Sequence, residues 1–537
     1  MKSRLAVAVL AVLFVPAAWV CATGCSHEGA GVTPAPDAAA DGIVAAHDGG
    51  GDASDATADG SDARADGGAD AVADGPAAFT PPADMRDRIG VYAWGFDPSA
   101  WPGTPDQLTW ATNEVAGLGG RTVRVYLGPQ DIYGVLAPGD AGAFDLATAA
   151  TSGAYRALFA NPSFDTYLLT TYSSGDDAND WTAGYTAAQI ATERQEIAAL
   201  GSALLSTFPG KTFVILNWEG DNALAPVATS QAAWDGYTAW IGARSAGVAD
   251  ARKAAAATTA RLYFGLEFNL VRSLATNAPC DTSANKCVIS VVAPQVDVDF
   301  YSYSSWQSLG PNLTPAQVAA GLQADLTSAL GYVKEKDGGA GATPAQFLVG
   351  EFGAPREQAD LGECAAMQRA AAIVPAIVAW GAAYGVFWQI IDNRPSGQPD
   401  DFVDGFGLYK ASGPASLSAA LFQTLYATQV ATPPVPPGCP LVSQGGVVNG
   451  TTFSAGDIDG GTTLSIFGTG FTDAGDVVHV REATAQWSVQ AGSPFFYASP
   501  GQINATLPGI PGGQNALVFV TGGDGVDSNG QIVSVGP

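Results

Sequence analysis

Between residues 86 and 431, short apolar runs alternate eight times with segments of helical periodicity. In the helical segments, apolar residues return every three or four positions. One such face carries Ile190, Ile197, Leu200, Leu204 and Phe208, and another carries Val318, Leu322, Leu326, Leu330 and Val333. Eight alternations over about 345 residues favour a closed (β/α)8 barrel over an open sheet. We therefore predict an α/β fold, a TIM barrel, for residues 86–431.

The eight apolar runs are the predicted strands of this barrel. They span residues 89–95, 122–128, 165–172, 212–217, 261–268, 296–303, 347–350 and 385–391. The strands of such a barrel are parallel, so their carboxyl ends meet at one face, and active sites lie at that face. Polar residues that end these runs are therefore the candidates for a functional site.

Two of the runs end in a carboxylate. The run 347–350 is followed by Glu351, and the run 212–217 is followed by Trp218 and Glu219. A single glutamate at a strand end is more typical of a cap or a salt bridge. Two glutamates on strands far apart in sequence, however, would converge on one barrel mouth. We expect Glu219 and Glu351 to face each other there.

These glutamates belong to a set of five short motifs in a characteristic order. The motifs are Val123-Arg124-Val125, Asn217-Trp218-Glu219, Tyr301-Ser302-Tyr303, Gly350-Glu351-Phe352 and Phe387-Trp388-Gln389, on runs two, four, six, seven and eight. In this order they resemble the large clan of retaining glycoside hydrolases with barrel folds, over residues 86–431. The resemblance implies that Glu219 is the acid/base and Glu351 the nucleophile.

Retaining cleavage of an O-glycosidic bond uses one carboxylate as nucleophile and one carboxyl group as proton donor, about 5–5.5 Å apart. We therefore expect the two carboxyl groups to lie within about 6 Å of each other. Arg124 beside Glu351 would keep that carboxylate ionised, whereas burial near Trp218 would raise the pKa of Glu219. By the same resemblance, Tyr303 would donate a hydrogen bond to Glu351.

The fourth motif departs from the pattern of the clan. In the clan, asparagine immediately precedes the acid, whereas here Trp218 stands between Asn217 and Glu219. Because alternate residues of a strand point to the same side, Asn217 would serve the site from a lower layer or not at all. Recognition of a sugar 2-hydroxyl by Asn217 is therefore left open.

Three tryptophans lie at or beyond strand ends, where their flat faces can stack on pyranose rings. They are Trp94, Trp306 and Trp388. Tryptophans in such positions also serve simply as core residues, and we favour stacking for Trp388. Trp94 is a further candidate for substrate binding.

Several of these residues have alternative interpretations. Arg124 is equally well a structural arginine of the barrel, and Tyr303 taken alone is more typical of a core residue. Glu267, which lies near the end of the fifth run, and Asp221 are rival carboxylates for the role of the acid. If either glutamate were out of position, the chain would instead be a surface carbohydrate-binding or adhesion protein on a catalytically degenerate barrel.

Composition argues against several other kinds of site. The chain has three histidines, two of them before residue 50, so a histidine-dependent triad or metal site is not expected. We find no glycine loop of the kind that cradles phosphate, and we expect no cofactor. A net charge of −28 without a basic patch argues against nucleic-acid binding. The expected partner is a carbohydrate substrate, and we expect a monomer.

The N-terminal region has the composition of an export signal and a tether. In residues 1–25, Lys2 and Arg4 precede an apolar run, and Ala22-Thr23-Gly24-Cys25 resembles a lipoprotein cleavage box in which Cys25 is lipidated. Cleavage as an ordinary secreted protein is the alternative. Residues 26–85 are rich in Ala, Asp and Gly, which predicts a disordered tether. We expect an exported protein at the bacterial cell surface or outer membrane, held only by an N-terminal lipid anchor.

Four cysteines lie beyond the export segment. They are Cys280, Cys287, Cys364 and Cys439. An even number in an exported chain suggests two disulfides. Cys280 and Cys287 bracket a polar loop after the fifth run and are expected to pair, which would leave Cys364 for Cys439. Three connectivities are formally open.

A proline-rich segment over residues 432–438 marks a stiff linker. From residue 439 to residue 537, Gly and Asp separate short alternating runs, which is the pattern of a β-sandwich of about 100 residues. The run from Tyr497 to Ala505 resembles bacterial immunoglobulin-like, transcription-factor-type modules. Spacing or adhesion is the role we expect for this part.

Overall fold

The structure of the chain is a computed structural model. It describes residues 79–94, 106–136, 144–173, 180–255, 257–310, 313–333, 342–356, 362–392, 405–410, 415–432, 439–454, 458, 463–472, 475–481, 486–490, 493, 496–506, 515–523, 528 and 530–535. The predicted signal segment, Cys25 and residues 26–78 of the tether lie outside the described residues. Within the described ranges, no helix combines the length and hydropathy needed to cross a bilayer.

The first part of the described chain alternates strands with helices. Its strands are β1 (Ile89–Tyr92), β2 (Thr122–Leu127), β3 (Thr166–Thr171), β4 (Thr212–Leu216), β5 (Arg261–Phe268), β6 (Phe300–Ser304), β7 (Phe347–Phe352) and β8 (Tyr384–Phe387). Its helices are α1 (Met85–Arg88), α2 (Gln107–Leu118), α3 (Leu146–Ala150), α4 (Gly153–Phe159), α5 (Ala187–Thr207), α6 (Gly220–Leu224), α7 (Gln231–Ala254), α8 (Val288–Val291), α9 (Pro315–Val333), α10 (Gly362–Trp380) and α11 (Leu417–Thr428).

The eight strands close into a parallel barrel in sequence order, and β8 pairs with β1. The predicted (β/α)8 fold is therefore confirmed. Seven of the eight strands differ in their bounds from the prediction. The first and eighth strands end at Tyr92 and Phe387 rather than at residues 95 and 391, and the second, third and fourth strands differ by one residue at one or both ends. The sixth strand begins at Phe300 rather than at residue 296, because a 3₁₀ turn over Ala293–Gln295 ends at residue 296. The seventh strand continues to Phe352, so Glu351 lies within the strand rather than after it.

Apolar side chains pack on both sides of the barrel wall. A large cluster fills the space between the strands and the surrounding helices. A smaller cluster includes Leu168, Val214, Leu216, Phe300, Leu348, Tyr384 and Val386. Such layers of side chains fill the interior of barrels with this fold.

Phe79 packs against the barrel, although we placed it in the tether. Its ring centroid lies 4.9 Å from that of Phe300 and 5.8 Å from those of Tyr263 and Tyr384. This aromatic contact buries apolar surface that the rest of the Ala/Asp/Gly-rich segment does not offer. Residues 79–85 therefore belong to the folded part of the chain, and the tether was predicted too long at its C-terminal end.

The C-terminal part is all β, as predicted. Its strands are β9 (Leu441–Asn449), β10 (Thr463–Thr469), β11 (Val477–Arg481), β12 (Gln486–Gln490), β13 (Phe496–Ser499), β14 (Gln502–Thr506), β15 (Asn515–Thr521) and β16 (Gln531–Ser534). One four-stranded antiparallel sheet has the order β13-β14-β10-β9, and the other has the order β12-β11-β15-β16. Apolar residues from both sheets, among them Ile466, Val480, Ile503 and Val518, form one core.

The cysteines pair as expected. Cys280 is bonded to Cys287 in the loop after β5. Cys364 of α10 is bonded to Cys439, which lies just before β9, across a sequence separation of 75 residues. The second disulfide therefore joins a helix of the barrel to the start of the β-sandwich.

Candidate active site

Glu219 and Glu351 are both buried at the ends of barrel strands. After β4 the chain continues through Asn217 and Trp218, and Glu219 caps the short helix α6. Glu351 is the second-last residue of β7. The carboxyl ends of β4 and β7 lie at the same face of a parallel barrel, so two distant parts of the sequence meet there.

Two donors of the β6 segment stand between the carboxyl groups. Ser304 Oγ lies 2.6 Å from Glu219 Oε1 and 3.1 Å from Glu351 Oε2. Trp306 Nε1–H donates to the same two oxygens, at 3.0 Å and 3.2 Å. The two carboxyl oxygens therefore cannot be further apart than the two Ser304 distances added together, which is 5.7 Å. This agrees with the separation of within about 6 Å expected from the sequence.

Arg124 lies beneath this pair and is fully buried. Its Nη1 atom is 3.5 Å from Glu351 Oε1, as the sequence led us to expect. Its closer partner, however, is Glu267, to which Nη1 and Nη2 donate at 2.7 Å and 2.8 Å. Nη1 also donates to the carbonyl oxygen of Gly350, and the guanidinium lies 4.4 Å from the ring centroid of Tyr92. Arg124 is thus both a structural arginine and the cation nearest Glu351.

Glu267 has no free capacity for acid chemistry. Besides the two bonds from Arg124, it accepts a hydrogen bond from Ser302 Oγ at 2.7 Å and from the Glu219 backbone N–H at 3.3 Å. Both oxygens of Glu267 are thus engaged by donors of the barrel wall. The structure therefore uses Glu267 as the counter-ion of Arg124, and Glu219 remains the better candidate for the acid.

Asp221, the second rival, fastens the loop after β5. Its Oδ2 atom accepts hydrogen bonds from the backbone N–H groups of Asn269 and Leu270 at 2.9 Å and 3.1 Å, and its Oδ1 atom accepts one from Val288 at 2.7 Å. Burial raises the pKa of Asp221 to about 6. With both oxygens occupied by peptide groups, this carboxyl group holds the backbone in place.

Of the two asparagines near Glu219, Asn217 is bonded within the barrel wall and Asn222, for which no role was predicted, contacts the carboxyl group. Asn217 Nδ2–H donates to Tyr237 Oη and to the carbonyl oxygen of Glu267, both at 2.9 Å, and Asn217 Oδ1 accepts from the Glu267 N–H at 2.7 Å. Its amide is therefore used within the barrel wall rather than for substrate. The amide that contacts the acid candidate is that of Asn222, whose Nδ2–H donates to Glu219 Oε2.

Tyr303 does not donate to Glu351, and this prediction was wrong. Its hydroxyl donates to Asp325 Oδ2 at 2.9 Å, and its ring stacks on Phe268 with centroids 5.2 Å apart. Because neighbouring residues of a strand point to opposite faces, Ser302 and Ser304 face the barrel interior while Tyr303 faces α9. The donors to Glu351 are therefore Ser304, which was not predicted, and Trp306, which was considered only for stacking on a sugar.

The tryptophans proposed for sugar stacking lie close together. Trp388 packs against Tyr92 at a centroid distance of 5.1 Å and against Trp94 at 5.6 Å. Trp388 is 6% exposed, whereas Trp94 is only partly buried. The ring of Trp306 meets that of Phe406 edge to face at 5.2 Å. Stacking of Trp388 or Trp94 on a sugar stays a prediction.

Burial controls the protonation of the carboxyl pair. It raises the pKa of Glu219 to about 7 and raises that of Glu351 well above its usual range. For Glu351, the neighbouring Glu219 raises the pKa further, whereas Arg124 opposes both effects. Two carboxyl groups this close do not both ionise readily, so the pair retains one proton near neutral pH. Burial raises the pKa of both groups, so the side on which the one negative charge lies is decided by the nearest cation. Arg124 Nη1 is 3.5 Å from Glu351 Oε1, which places the charge on Glu351 and the proton on Glu219.

Gly350 has no β-carbon, and the side chains of Ser302 and Glu267 occupy the space next to it. A β-carbon at this position would overlap Ser302 Oγ and Glu267 Oε2 and would lie 3.2 Å from Arg124 Nη1. Gly350→Ala is therefore expected to destabilise the protein by roughly 2–4 kcal/mol, because the buried ion pair beneath the carboxyl groups must shift. Urea unfolding measures this loss.

Gly331→Ala is the matched control for that substitution. Gly331 lies in α9, and a β-carbon there would meet nothing within 4 Å. Alanine in an exposed helix position is expected to be neutral or to stabilise by up to about 1 kcal/mol. Equal unfolding midpoints for the two variants would contradict the proposed role of Gly350.

Comparisons with known proteins give no family assignment. No protein-family model matches the chain, and no curated protein matches it. Similar solved structures include a β-glucuronidase of Bacteroides uniformis, at 11% identity and a TM-score of 0.37, over 83% of this chain and 46% of that chain. The chain thus spans about half the length of that protein.

Two further solved structures are closer to this chain in length. A GH5_18 protein of Bifidobacterium longum subsp. infantis has 17% identity and a TM-score of 0.43, over 69% of this chain and 82% of that chain. An exo-β-1,4-mannosidase of an Opitutaceae bacterium has 14% identity and a TM-score of 0.41, over 65% and 62%. Similarity at this level does not assign a function, which must be inferred from the side chains of the site.

Proposed function

We propose that this protein is a glycoside hydrolase that cleaves an O-glycosidic bond of a polysaccharide or oligosaccharide with retention of configuration. The observation that carries the proposal is the pair of buried carboxyl groups, Glu219 and Glu351, whose nearest oxygens share the donors Ser304 and Trp306 and lie no more than 5.7 Å apart. Retaining enzymes need this short separation, since inverting enzymes leave room for a water between the two groups.

In the first step, Glu351 attacks the anomeric carbon while Glu219 gives its proton to the departing glycosidic oxygen. The products are a glycosyl ester of Glu351 and a free leaving group. The pKa of Glu219, raised by burial, suits a group that must hold its proton until the bond breaks. Arg124, 3.5 Å from Glu351 Oε1, favours the ionised form that attack requires.

In the second step, the ionised Glu219 removes a proton from water, and that water attacks the anomeric carbon of the ester. Glu351 is released as a carboxylate and Glu219 is protonated again. Trp306 Nε1–H and Arg124 face the oxygens of Glu351 and would stabilise the charge that returns there. The pair is thereby restored for a further cycle.

We further propose that the enzyme is exported and held at the bacterial cell surface or outer membrane through Cys25. The two disulfides support an oxidising location. The sandwich would then serve as a spacer or adhesion module beside the catalytic barrel. We propose that the protein acts as a monomer on its carbohydrate substrate.

The test is a screen of the purified protein against polysaccharides and a panel of aryl glycosides. We expect release of sugar from at least one of them, and ¹H NMR of the first product should show the anomeric configuration of the substrate. A first product of opposite configuration would overturn retention. Binding of a glycan without any release of product would instead support a carbohydrate-binding protein on a degenerate barrel.

A further inference from the structure

The hydroxyl group of Ser304 contacts two carboxyl groups but has only one hydrogen to donate. Its Oγ atom is within hydrogen-bond distance of Glu219 Oε1 at 2.6 Å and of Glu351 Oε2 at 3.1 Å. A serine hydroxyl has one hydrogen to donate and two lone pairs with which to accept. If both carboxyl groups were ionised, Ser304 could donate to only one of them. At the other contact, the lone pairs of Ser304 Oγ would face those of a carboxylate oxygen, which is repulsive. One contact therefore requires a hydrogen that comes from a carboxyl group.

The other carboxyl oxygens cannot hold that hydrogen. Glu219 Oε2 already accepts from Asn222 Nδ2–H, and Glu351 Oε1 faces the guanidinium of Arg124 at 3.5 Å. The guanidinium is a donor only, and the amide of Asn222 presents its N–H side to Glu219, so in this arrangement a proton on either oxygen would have no acceptor. Trp306 Nε1–H is also a donor only. Among the described residues around the pair, the hydroxyl of Ser304 is thus the group that can accept a carboxyl proton.

We propose that Ser304 is a positioning residue that holds the single proton of the carboxyl pair, accepting a hydrogen bond from protonated Glu219 and donating one to ionised Glu351. In this arrangement, Glu219 Oε1–H donates to Ser304 Oγ, and Ser304 Oγ–H donates to Glu351 Oε2. Arg124 sets this direction, because its charge lies on the Glu351 side. The inference deepens the proposed hydrolase function, on which its catalytic consequence rests.

The neighbours of Ser304 hold the hydroxyl in this place. The Ser305 N–H and Oγ–H both donate to the carbonyl oxygen of Glu351, at 2.9 Å and 2.8 Å. Gln307 bonds to the backbone after β5, and Ser308 Oγ–H donates to Asp325 Oδ2 at 2.6 Å. Ser305, Gln307 and Ser308 thus each form hydrogen bonds with a different part of the barrel. These bonds fix the segment, and the segment holds Ser304 in contact with both carboxyl groups.

The test is the pH profile of kcat/KM for Ser304→Ala beside that of the wild-type enzyme. The bell-shaped profile reports the interval in which the pair carries one proton. Without the hydroxyl, protonated Glu219 loses an acceptor, so the basic limb moves down in pH. Ionised Glu351 loses a donor, so the acid limb moves up. We expect each limb to move inward by roughly 0.5 to 1 pH unit, in line with the loss of one hydrogen bond.

Three further variants make the result decisive. Ser304→Thr keeps a hydroxyl and should restore the width of the bell. Ser304→Cys keeps the volume of the side chain but hydrogen-bonds only weakly, so it replaces the alanine variant if that fails to fold. Ser308→Ala is the matched control, because it removes a buried hydroxyl of the same segment that bonds to Asp325 instead. Limbs that stay in place in Ser304→Ala, or that move together in one direction, would overturn the proposal. A lower rate with unmoved limbs would mark a merely structural role.

Infrared titration of the free protein separates this inference from the proposed function. The infrared bands of the two carboxyl groups are identified as those that disappear in a Glu219→Gln, Glu351→Gln double variant. We expect the pH interval with one protonated carboxyl group to be narrower in Ser304→Ala than in wild type. If no glycoside is cleaved, the hydrolase proposal fails, yet this titration still decides the role of Ser304. An unchanged interval would refute the bridge even in an active enzyme.

Discussion

Glu351→Ala is expected to lower kcat by roughly four orders of magnitude or more for every glycoside that the wild-type protein cleaves, because the nucleophile is removed. The truncated side chain leaves a space beside Ser304 and Trp306. Azide can enter that space, attack the anomeric carbon in place of the carboxylate and release a glycosyl azide of inverted configuration. NMR of the product, measured with and without azide, checks both the rescue and its stereochemistry.

Glu351→Gln is the control for this experiment. Glutamine keeps the volume of the side chain, so the variant should be as inactive as the alanine variant but should not be rescued by azide. Both variants should unfold at similar denaturant concentrations to wild type. Turnover near the wild-type rate in Glu351→Ala would exclude this residue as the nucleophile and with it the proposed mechanism.

Glu219→Ala is expected to lose roughly 10²- to 10⁴-fold in kcat, with a different pattern of rescue. Deglycosylation lacks its general base, so azide should restore turnover with retained configuration. Substrates with good leaving groups need little protonation and should keep a faster first step. Because burial raises the pKa of Glu219 to about 7, wild-type kcat/KM should fall as the pH rises above that value. This fall should be absent from the variant when an activated aryl glycoside is used.

The rival carboxylates provide the controls for Glu219. Glu267→Ala removes the counter-ion of Arg124, and Asp221→Ala releases the loop after β5, so both variants are expected to lose activity or stability. Azide should not restore turnover in either variant, since neither carboxyl group is placed to act on water. Azide-dependent turnover with retained configuration in Asp221→Ala would identify Asp221 as the acid/base instead.

The strand-end glutamates could be predicted because two independent regularities converge on them. Eight strand and helix alternations imply a closed barrel, and a closed barrel brings the ends of its fourth and seventh strands to one face. Arg124 could be placed for the same reason. What the pattern could not give is the partner of each side chain, since Arg124 lies near Glu351 but is bound chiefly by Glu267.

The donors to the carboxyl pair were missed for a physical reason. Tyr303 and Ser304 are neighbours on β6, and which of them faces the interior depends on the strand's parity, which the sequence alone does not fix. The register also shifts between Tyr303 and Ser304 where β6 pairs with β7. The one available signal was the segment Ser304-Ser305-Trp306, which directly follows the predicted strand over residues 296–303. The start of the folded part was also predicted incorrectly. Phe79 precedes the helix that begins at Met85, yet its ring packs against Phe300 of the barrel, and a single aromatic residue in an Ala/Asp/Gly-rich segment gives little signal in the sequence.

Because Cys364 is bonded to Cys439, the barrel and the sandwich are covalently linked at two places. The peptide chain joins them once and the disulfide joins them again, around a loop with a sequence separation of 75 residues. A protease that cuts within this loop, including the proline-rich segment 432–438, releases neither part, and the molecular mass is unchanged apart from the water added. Separation requires a reductant as well as a cut. In an oxidising environment, the sandwich therefore stays with the barrel even after the loop between the two cysteines has been nicked.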